Sequence, residues 1–217
     1  MSNVRLMKEL KLLKESKEMH INVCEQNMTE FKIMFFGPPD SVFHNGIFLF
    51  KFNISNDYPF TVPKVTFLTG GIVNARMHPN LYKEGKVCLS ILNTWGSNEW
   101  SPLLTIEKII LTIKGLLDDN PIAHEPGYEK RKNDAYNIYS SYYTIKSIVD
   151  VYNFYNQNDN ENNQNEKQII KNHIKENFND ISKKLDELEI HHNKSYQTIH
   201  HNSIINIENL RKKLYNI

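Results

Sequence analysis

The 217-residue chain holds two cysteines, Cys24 and Cys88, and only Cys88 has a chemically suggestive neighbourhood. The stretch His78-Pro79-Asn80-Leu81-Tyr82-Lys83-Glu84-Gly85-Lys86-Val87-Cys88-Leu89-Ser90-Ile91-Leu92 sets this thiol eight residues after an asparagine. Trp100-Ser101-Pro102 and an apolar run follow. Between Val87 and Leu89 the cysteine equally suits an inert core position, because free cysteine is among the most buried residue types. Nothing places it at a helix N-terminus, where the dipole would acidify it. An ordinary thiol, with a pKa near ~8.5, is therefore expected. Such a thiol can take an acyl group from one thioester and surrender it to an amine, since thiol and thioester exchange at similar energy. Asn80 after Pro79 reads as a turn residue. His78 and Pro79 are assigned to loop architecture and not to proton transfer.

The elements that must hold this stretch follow from pattern. All eight glycines and all eight prolines lie between positions 37 and 127, so both flanks lack the strongest helix breakers. Leu6, Leu10 and Leu13 recur at helical spacing with Arg5, Lys8, Glu9 and Lys14 on the wet side, predicting a helix over 3–18. Runs rich in β-branched and aromatic residues predict strands over 29–36 and 47–54, separated by Gly37-Pro38-Pro39-Asp40 and Asn45-Gly46. Residues 64–68 form a further run whose entry suits Pro63, and 20–25 a weaker first strand. Beyond Cys88, 103–117 predicts a mostly buried helix with Pro102 in its first turn and Gly115 weakening it. After the Glu125-Pro126-Gly127 break, 128–153 predicts a tyrosine-dense helix. The expected class is α+β: an N-terminal helix, a four-stranded antiparallel meander, an irregular active-site stretch, then helices.

The expected units are a catalytic domain over 1–153, an Asn-rich linker over 154–165 and a helical C-terminal extension over 166–217. Every residue from 156 to 165 is Asn, Gln, Asp or Glu, which cannot bury enough apolar area to order itself. Ile174, Phe178, Ile181, Leu185 and Leu188 form a narrow helical seam for docking or pairing, too short for a stable isolated coiled coil. Ile207, Leu210, Leu214 and Ile217 suggest a second short piece. The pairs His191-His192 and His200-His201 are dispersed among polar residues, and no metal site is expected.

Composition narrows the class. Hydrophobic residues make up 40% and charged residues 24%, which fits a globular protein with a real core. A formal net charge of +1 is too near neutrality for a strong electrostatic attraction to nucleic acid or anionic membrane. Two cysteines exclude a disulfide framework and any four-cysteine zinc site. The residues after Met1 are mixed, so no secretory signal is expected, and no apolar stretch is long enough to span a bilayer. A reducing cytoplasmic or nuclear setting is the simplest expectation.

The asparagine-to-cysteine spacing, the Trp100-Ser101-Pro102 turn and the order of elements resemble the ubiquitin-conjugating enzymes, over about residues 5–148. The resemblance implies that Cys88 receives ubiquitin or a ubiquitin-like protein as a thioester from an activating enzyme and passes it to a protein lysine, usually with a ligase. ATP is consumed by that upstream enzyme, and no bound cofactor is implied. Asn80 would steady the oxyanion formed when lysine attacks, a role worth roughly 2.7–4 kcal/mol where such donors have been tested, or would hold the loop. Many members carry an aspartate two residues after the cysteine, where this chain has Ser90. Glu125 aligns with a second acidic position, which gives it the task of orienting the incoming amine or accepting its proton; a solvated loop carboxylate is the competing reading. Help is needed because a free lysine has a pKa of about 10.4. Tyr82 would line the same pocket. The ligase surface would comprise Arg5, Lys8, Phe60, Pro102 and Leu103.

Val87-Cys88-Leu89-Ser90-Ile91-Leu92, the lengthened loop carrying Trp95, and Asn120-Pro121 with His124-Glu125-Pro126-Gly127 resemble the divergent branch holding the Z-type enzyme and the conjugating domain of apollon. A SUMO-conjugating enzyme is the nearest alternative, sharing Cys-Leu-Ser-Ile-Leu and a tyrosine two residues after the asparagine. Tyr58-Pro59-Phe60 and the near-neutral charge favour the ubiquitin type. A non-catalytic scaffold of the same fold is a second alternative, although such variants usually lack the cysteine. A Cys88–His78 hydrolase ranks last, because no small-residue turn leads the thiol into a helix.

Overall fold

A computed structural model describes residues 2–24, 27–97, 99–157, 163–200 and 202–217. Helix α1 (Ser2–Glu15) is followed by β1 (His20–Cys24), β2 (Asn27–Phe36), β3 (Ile47–Asn53) and β4 (Lys64–Phe67), paired antiparallel in chain order as the expected meander. Alternation sorts the side chains of the central strands. Phe31, Ile33 and Phe35 of β2 join Phe48, Phe50 and Phe52 of β3 in one core with Leu6, Leu10 and Leu13 of α1. The same core contains Ile106, Ile109, Ile110 and Ile113 of α3 (Ile106–Leu116). Met34, Ile47 and Leu49 enter a second core on the opposite face. Residues 47–50 of β3 are thus covered on both sides, which is why they read as a continuous apolar run before Lys51.

Where β4 ends, β3 still needs partners. Their register stops at Phe50–Phe67, so the Leu49 amide donates to Thr69 Oγ1 at 2.8 Å and the Ile47 amide to Ser147 Oγ at 2.8 Å. Two buried hydroxyls replace ladder bonds that would otherwise be lost. Thr69 lies on α2 (Leu68–Val73), a short helix that the glycine-rich segment did not announce. Its Gly70 is required by packing: a Cβ there would lie 2.7 Å from the Tyr82 carbonyl oxygen.

Glu9 joins α1 to the start of α3. Its carboxylate accepts from Arg5 Nε at 2.8 Å, the Tyr58 hydroxyl at 2.8 Å and the Ile106 amide at 2.9 Å. The last contact caps α3 together with Thr105, whose side chain accepts from the Lys108 amide. Helix α3 therefore begins at Ile106 and not at 103, and Pro102 lies in the preceding Ser101–Leu104 turn instead of the first helical turn. Helix α4 (Asp134–Gln157) is likewise shifted from 128–153. Asn133 accepts from the Tyr136 amide and supplies the start signal, while buried Tyr155 carries the helix past residue 153.

The C-terminal part departs most from expectation. The helix runs on through Gln157 and α5 (Gln164–Glu176) begins at Gln164, so both ends of the expected 154–165 linker are helical. Residues 158–162 lie outside the described residues, as do Glu25, Asn98 and His201. The seam is two helices, α5 and α6 (Phe178–Leu188), broken at Asn177, whose side chain donates to the His173 carbonyl at 2.9 Å. A hairpin of β5 (Ser195–Gln197) and β6 (Asn202–Ile204) and then α7 (Ile207–Tyr215) complete it. Ile170, Ile174, Ile181, Leu185, Leu188, Leu210 and Leu214 pack with α4 and the second sheet face in one core. The extension docks on its own domain. His173 stacks on Phe36 at 3.5 Å between centroids, and burial holds its pKa down to about 4, so the ring is neutral near pH 7.

Glu9→Ala strands three donors in a buried setting and should lower unfolding free energy by about 3 kcal/mol. Urea denaturation checks it; a change below about 0.5 kcal/mol, typical of an exposed site, would contradict the hub.

Candidate active site

The eight-residue spacing from Asn80 to Cys88 is a strand register. The Cys88 amide donates to the Asn80 carbonyl at 2.8 Å and the Tyr82 amide to the Lys86 carbonyl at 2.9 Å, with Leu81 and Val87 bridged between them. The chain reverses through Gly85, whose φ of 95° favours glycine and whose Cβ would meet Thr66 Cγ2 at 2.7 Å. Asn80 then closes the pair from its side chain, with Nδ2 donating to the Cys88 carbonyl at 2.8 Å. Thr94 braces the far side: its hydroxyl donates to the Val87 carbonyl at 2.6 Å and accepts from the Leu89 amide at 2.9 Å. These bonds take the place of regular strand pairing along an otherwise irregular segment.

Cys88 is only 3% exposed, yet it lines a cleft of about 280 Å³ with Arg76, Asn80, Tyr82, Trp95 and Glu125. Its thiol points toward the Thr94 carbonyl at 3.5 Å. Burial disfavours the thiolate and pushes the Cys88 thiol above its ordinary value; Lys86 and Arg76 partly offset this, and Glu125 adds to it. The thiol expected to be ordinary is therefore less acidic than that. Asn80 occupies the loop-supporting geometry of its two expected roles. His78 is fully buried, its Nδ1 accepts from the Asn80 amide at 3.0 Å, and burial with the nearby His124, Arg76 and His200 holds it neutral. With Nδ1 so engaged, His78 serves the loop.

Arg76, absent from the sequence expectations, organises the rest. Its Nε donates to the Pro79 carbonyl at 3.1 Å, its Nη2 lies 3.3 Å from Glu125 Oε2, and its guanidinium lies over the Tyr82 ring at 3.8 Å. Glu125 and Tyr82 thus meet at one cation beside Cys88. A cation two residues before His78-Pro79 was the available signal. Ser90, where an acid was expected, has one brought to it: its hydroxyl donates to Glu99 Oε2 at 2.6 Å.

The residues expected at a partner surface lie on elements tied to one another. Arg5 donates to the Pro102 carbonyl at 2.5 Å and the Leu104 carbonyl at 2.8 Å, and Trp100 Nε1 donates to the Pro59 carbonyl at 2.8 Å. These bonds tie α1 and two loops, leaving Phe60 and Leu103 80% and 88% exposed. Lys8 is exposed on α1, whereas Arg5 is partly committed as a staple. Among the described residues no group of three or more His, Cys, Asp or Glu side chains is placed to hold a metal ion. None of their helices is long and apolar enough to cross a membrane.

A family model described as ubiquitin-conjugating enzyme matches residues 5–147. The chain is 40% identical over 107 residues to ubiquitin-conjugating enzyme E2 Z of Danio rerio and of Homo sapiens, covering 49% of this chain and 33% and 30% of those relatives. It is 35% identical over 125 residues to the human dual E2 ubiquitin-conjugating enzyme/E3 ubiquitin-protein ligase BIRC6, covering 55% of this chain and 3% of that protein. The matched segment thus spans about a third of the length of the E2 Z relatives.

The raised thiol has a pH signature. Iodoacetamide labelling of Cys88, followed by peptide mass spectrometry, should accelerate at higher pH in the folded chain than in urea. A folded midpoint at or below the unfolded one would contradict the burial argument.

Proposed function

This chain belongs to the ubiquitin-conjugating enzyme family, in its Z-type branch, and we propose that it carries ubiquitin or a ubiquitin-like protein as a thioester on Cys88 and passes it to a lysine. The observation that carries the reading is a braced cysteine on the wall of a cleft that also contains Asn80, Tyr82 and Glu125. In loading, the Cys88 sulfur attacks the tag's C-terminal carbonyl, its bond to the activating enzyme's sulfur breaks, and the proton passes to that leaving thiol. In discharge, a lysine nitrogen attacks the same carbonyl, an amide forms and Cys88 leaves as thiolate. The energy is already stored in the thioester, so no bound cofactor is required; ATP is spent upstream.

A thiol held above its ordinary pKa suits this work: it resists adventitious reaction near neutrality yet exchanges with an incoming thioester. Glu125, held by Arg76, would orient the amine and accept its proton, which a cation needs before it can attack. Phe60 and Leu103, with Pro102, Lys8 and the exposed part of Arg5, would form a ligase site of apolar knobs and basic stems. A cytoplasmic or nuclear setting would keep the thiol reduced. Tyr58-Pro59-Phe60 and the +1 charge favour ubiquitin over SUMO as the tag.

Incubation with ATP, ubiquitin and activating enzyme should give, on a non-reducing gel, an adduct one ubiquitin heavier that thiol reductant removes. Cys88→Ser should leave an adduct resistant to reductant and labile to alkali. Loading by the SUMO machinery and not by ubiquitin would overturn the choice of tag; loading by neither would favour the scaffold reading.

A further inference from the structure

The C-terminal extension reaches the active site. In the turn after β5, His200 places its side chain, 11% exposed, against the Arg76–Glu125 pair. Arg76 Nη1 lies 3.0 Å from His200 Nδ1, and His200 Nε2 lies 3.2 Å from Glu125 Oε2. A guanidinium only donates, so Nδ1 must accept. Nε2 then carries the hydrogen of the neutral ring; it lies within ion-pair distance of the carboxylate, though the ring N–H is not aligned on it as a hydrogen bond. The ring thus presents an acceptor to the cation and sets its Nε2 beside the anion, touching both members of the pair.

We propose that His200 is a positioning residue that fixes the Arg76–Glu125 pair beside Cys88, so that the extension forms part of the machinery for discharge to lysine. The inference rests on the proposed carrier function and deepens it.

Three observations carry it. Arg76 is fixed by the Pro79 carbonyl and the Tyr82 ring, whereas Glu125 leans on Arg76 at 3.3 Å, and ordering a glutamate side chain costs up to ~2 kcal/mol of rotamer entropy. A third contact from an independent element narrows their freedom. His200 is itself anchored, because its ring meets Tyr136 of α4 edge-on at 6.1 Å and its amide lies 3.3 Å from Thr198 Oγ1. The hairpin carrying it is tied to α4 by Tyr143 Oη and Ser203 Oγ at 3.0 Å. The connection then continues through Arg76 to Pro79, next to Asn80, and to Tyr82. The ring does not line the cleft containing Cys88, so His200 acts through Glu125 and is not the base itself.

The test uses the full chain, loaded with ubiquitin and discharged to free lysine, with loading and discharge timed separately. His200→Ala should load normally and lower the maximal discharge rate about tenfold, the scale of a modestly misplaced group. His200→Gln, whose amide can donate to Glu125 and whose carbonyl can accept from Arg76, should restore discharge to within about twofold. His200→Phe keeps the ring against Tyr136 without its polar atoms and should behave like alanine. On a Glu125→Ala background, His200→Ala should add nothing. Wild-type discharge by both His200→Ala and His200→Phe, wild-type discharge by His200→Phe alone, or multiplying effects in the double variant would each overturn the assignment. Failure of every variant, wild type included, to load would bring down the carrier reading first and this inference with it. If His200→Ala unfolds, the Gln–Phe contrast decides.

Discussion

The candidate site around Cys88 depends on one reciprocal tie. Asn80 accepts from the Cys88 amide through its backbone and donates to the Cys88 carbonyl through its side chain, both at 2.8 Å. A sulfur proposed to exchange partners must keep its place while lying outside any long strand or helix. Two residues opposed across a tight reversal supply that constraint at low cost, and Thr94 repeats the device on the other flank. The other groups are set from this pair. His78 caps the Asn80 amide, Arg76 holds Pro79 and Tyr82, and Glu125 is drawn in by Arg76.

The same logic explains why both sheet faces are covered. One face carries the core that seats α1 and α3, and through Glu9 and Arg5 it fixes the loops bearing Phe60 and Leu103. The other face is covered by α4 and the extension, with His173 against Phe36 and Ile170, Ile181 and Leu185 in the shared core. Packing on that second face sets the path of the chain that brings the β5–β6 turn back toward Glu125.

Much of this was legible in the residue order. The four strands fall within two or three residues of expectation, because β-branched and aromatic runs bounded by Gly, Pro and Asn leave little choice. Asn80, Tyr82, Cys88 and Glu125, which the motif singled out, line one cleft. What escaped had physical reasons. Helix α2 is short, and Gly70 there answers a close approach to Tyr82 that only three dimensions reveal. The ends of the Asn-rich stretch are helical because each continues a helix that packing stabilises elsewhere, which local composition cannot register. Pro102 looked like a helix start, but Thr105 supplied the better cap. His200, lying beyond a polar segment, carried no local pattern pointing to Arg76; its place follows from the docking of the extension.

The tie itself is the claim most open to a direct test. Asn80→Ala removes the side-chain half while leaving the backbone half, and the rates of loading and discharge of the same protein are then compared. If the bond exists to hold the sulfur in register, both rates should fall together, by about tenfold for one bond worth ~1.4 kcal/mol. Loading at the wild-type rate with discharge alone collapsing would show that the amide serves the oxyanion and that Cys88 keeps its place without it.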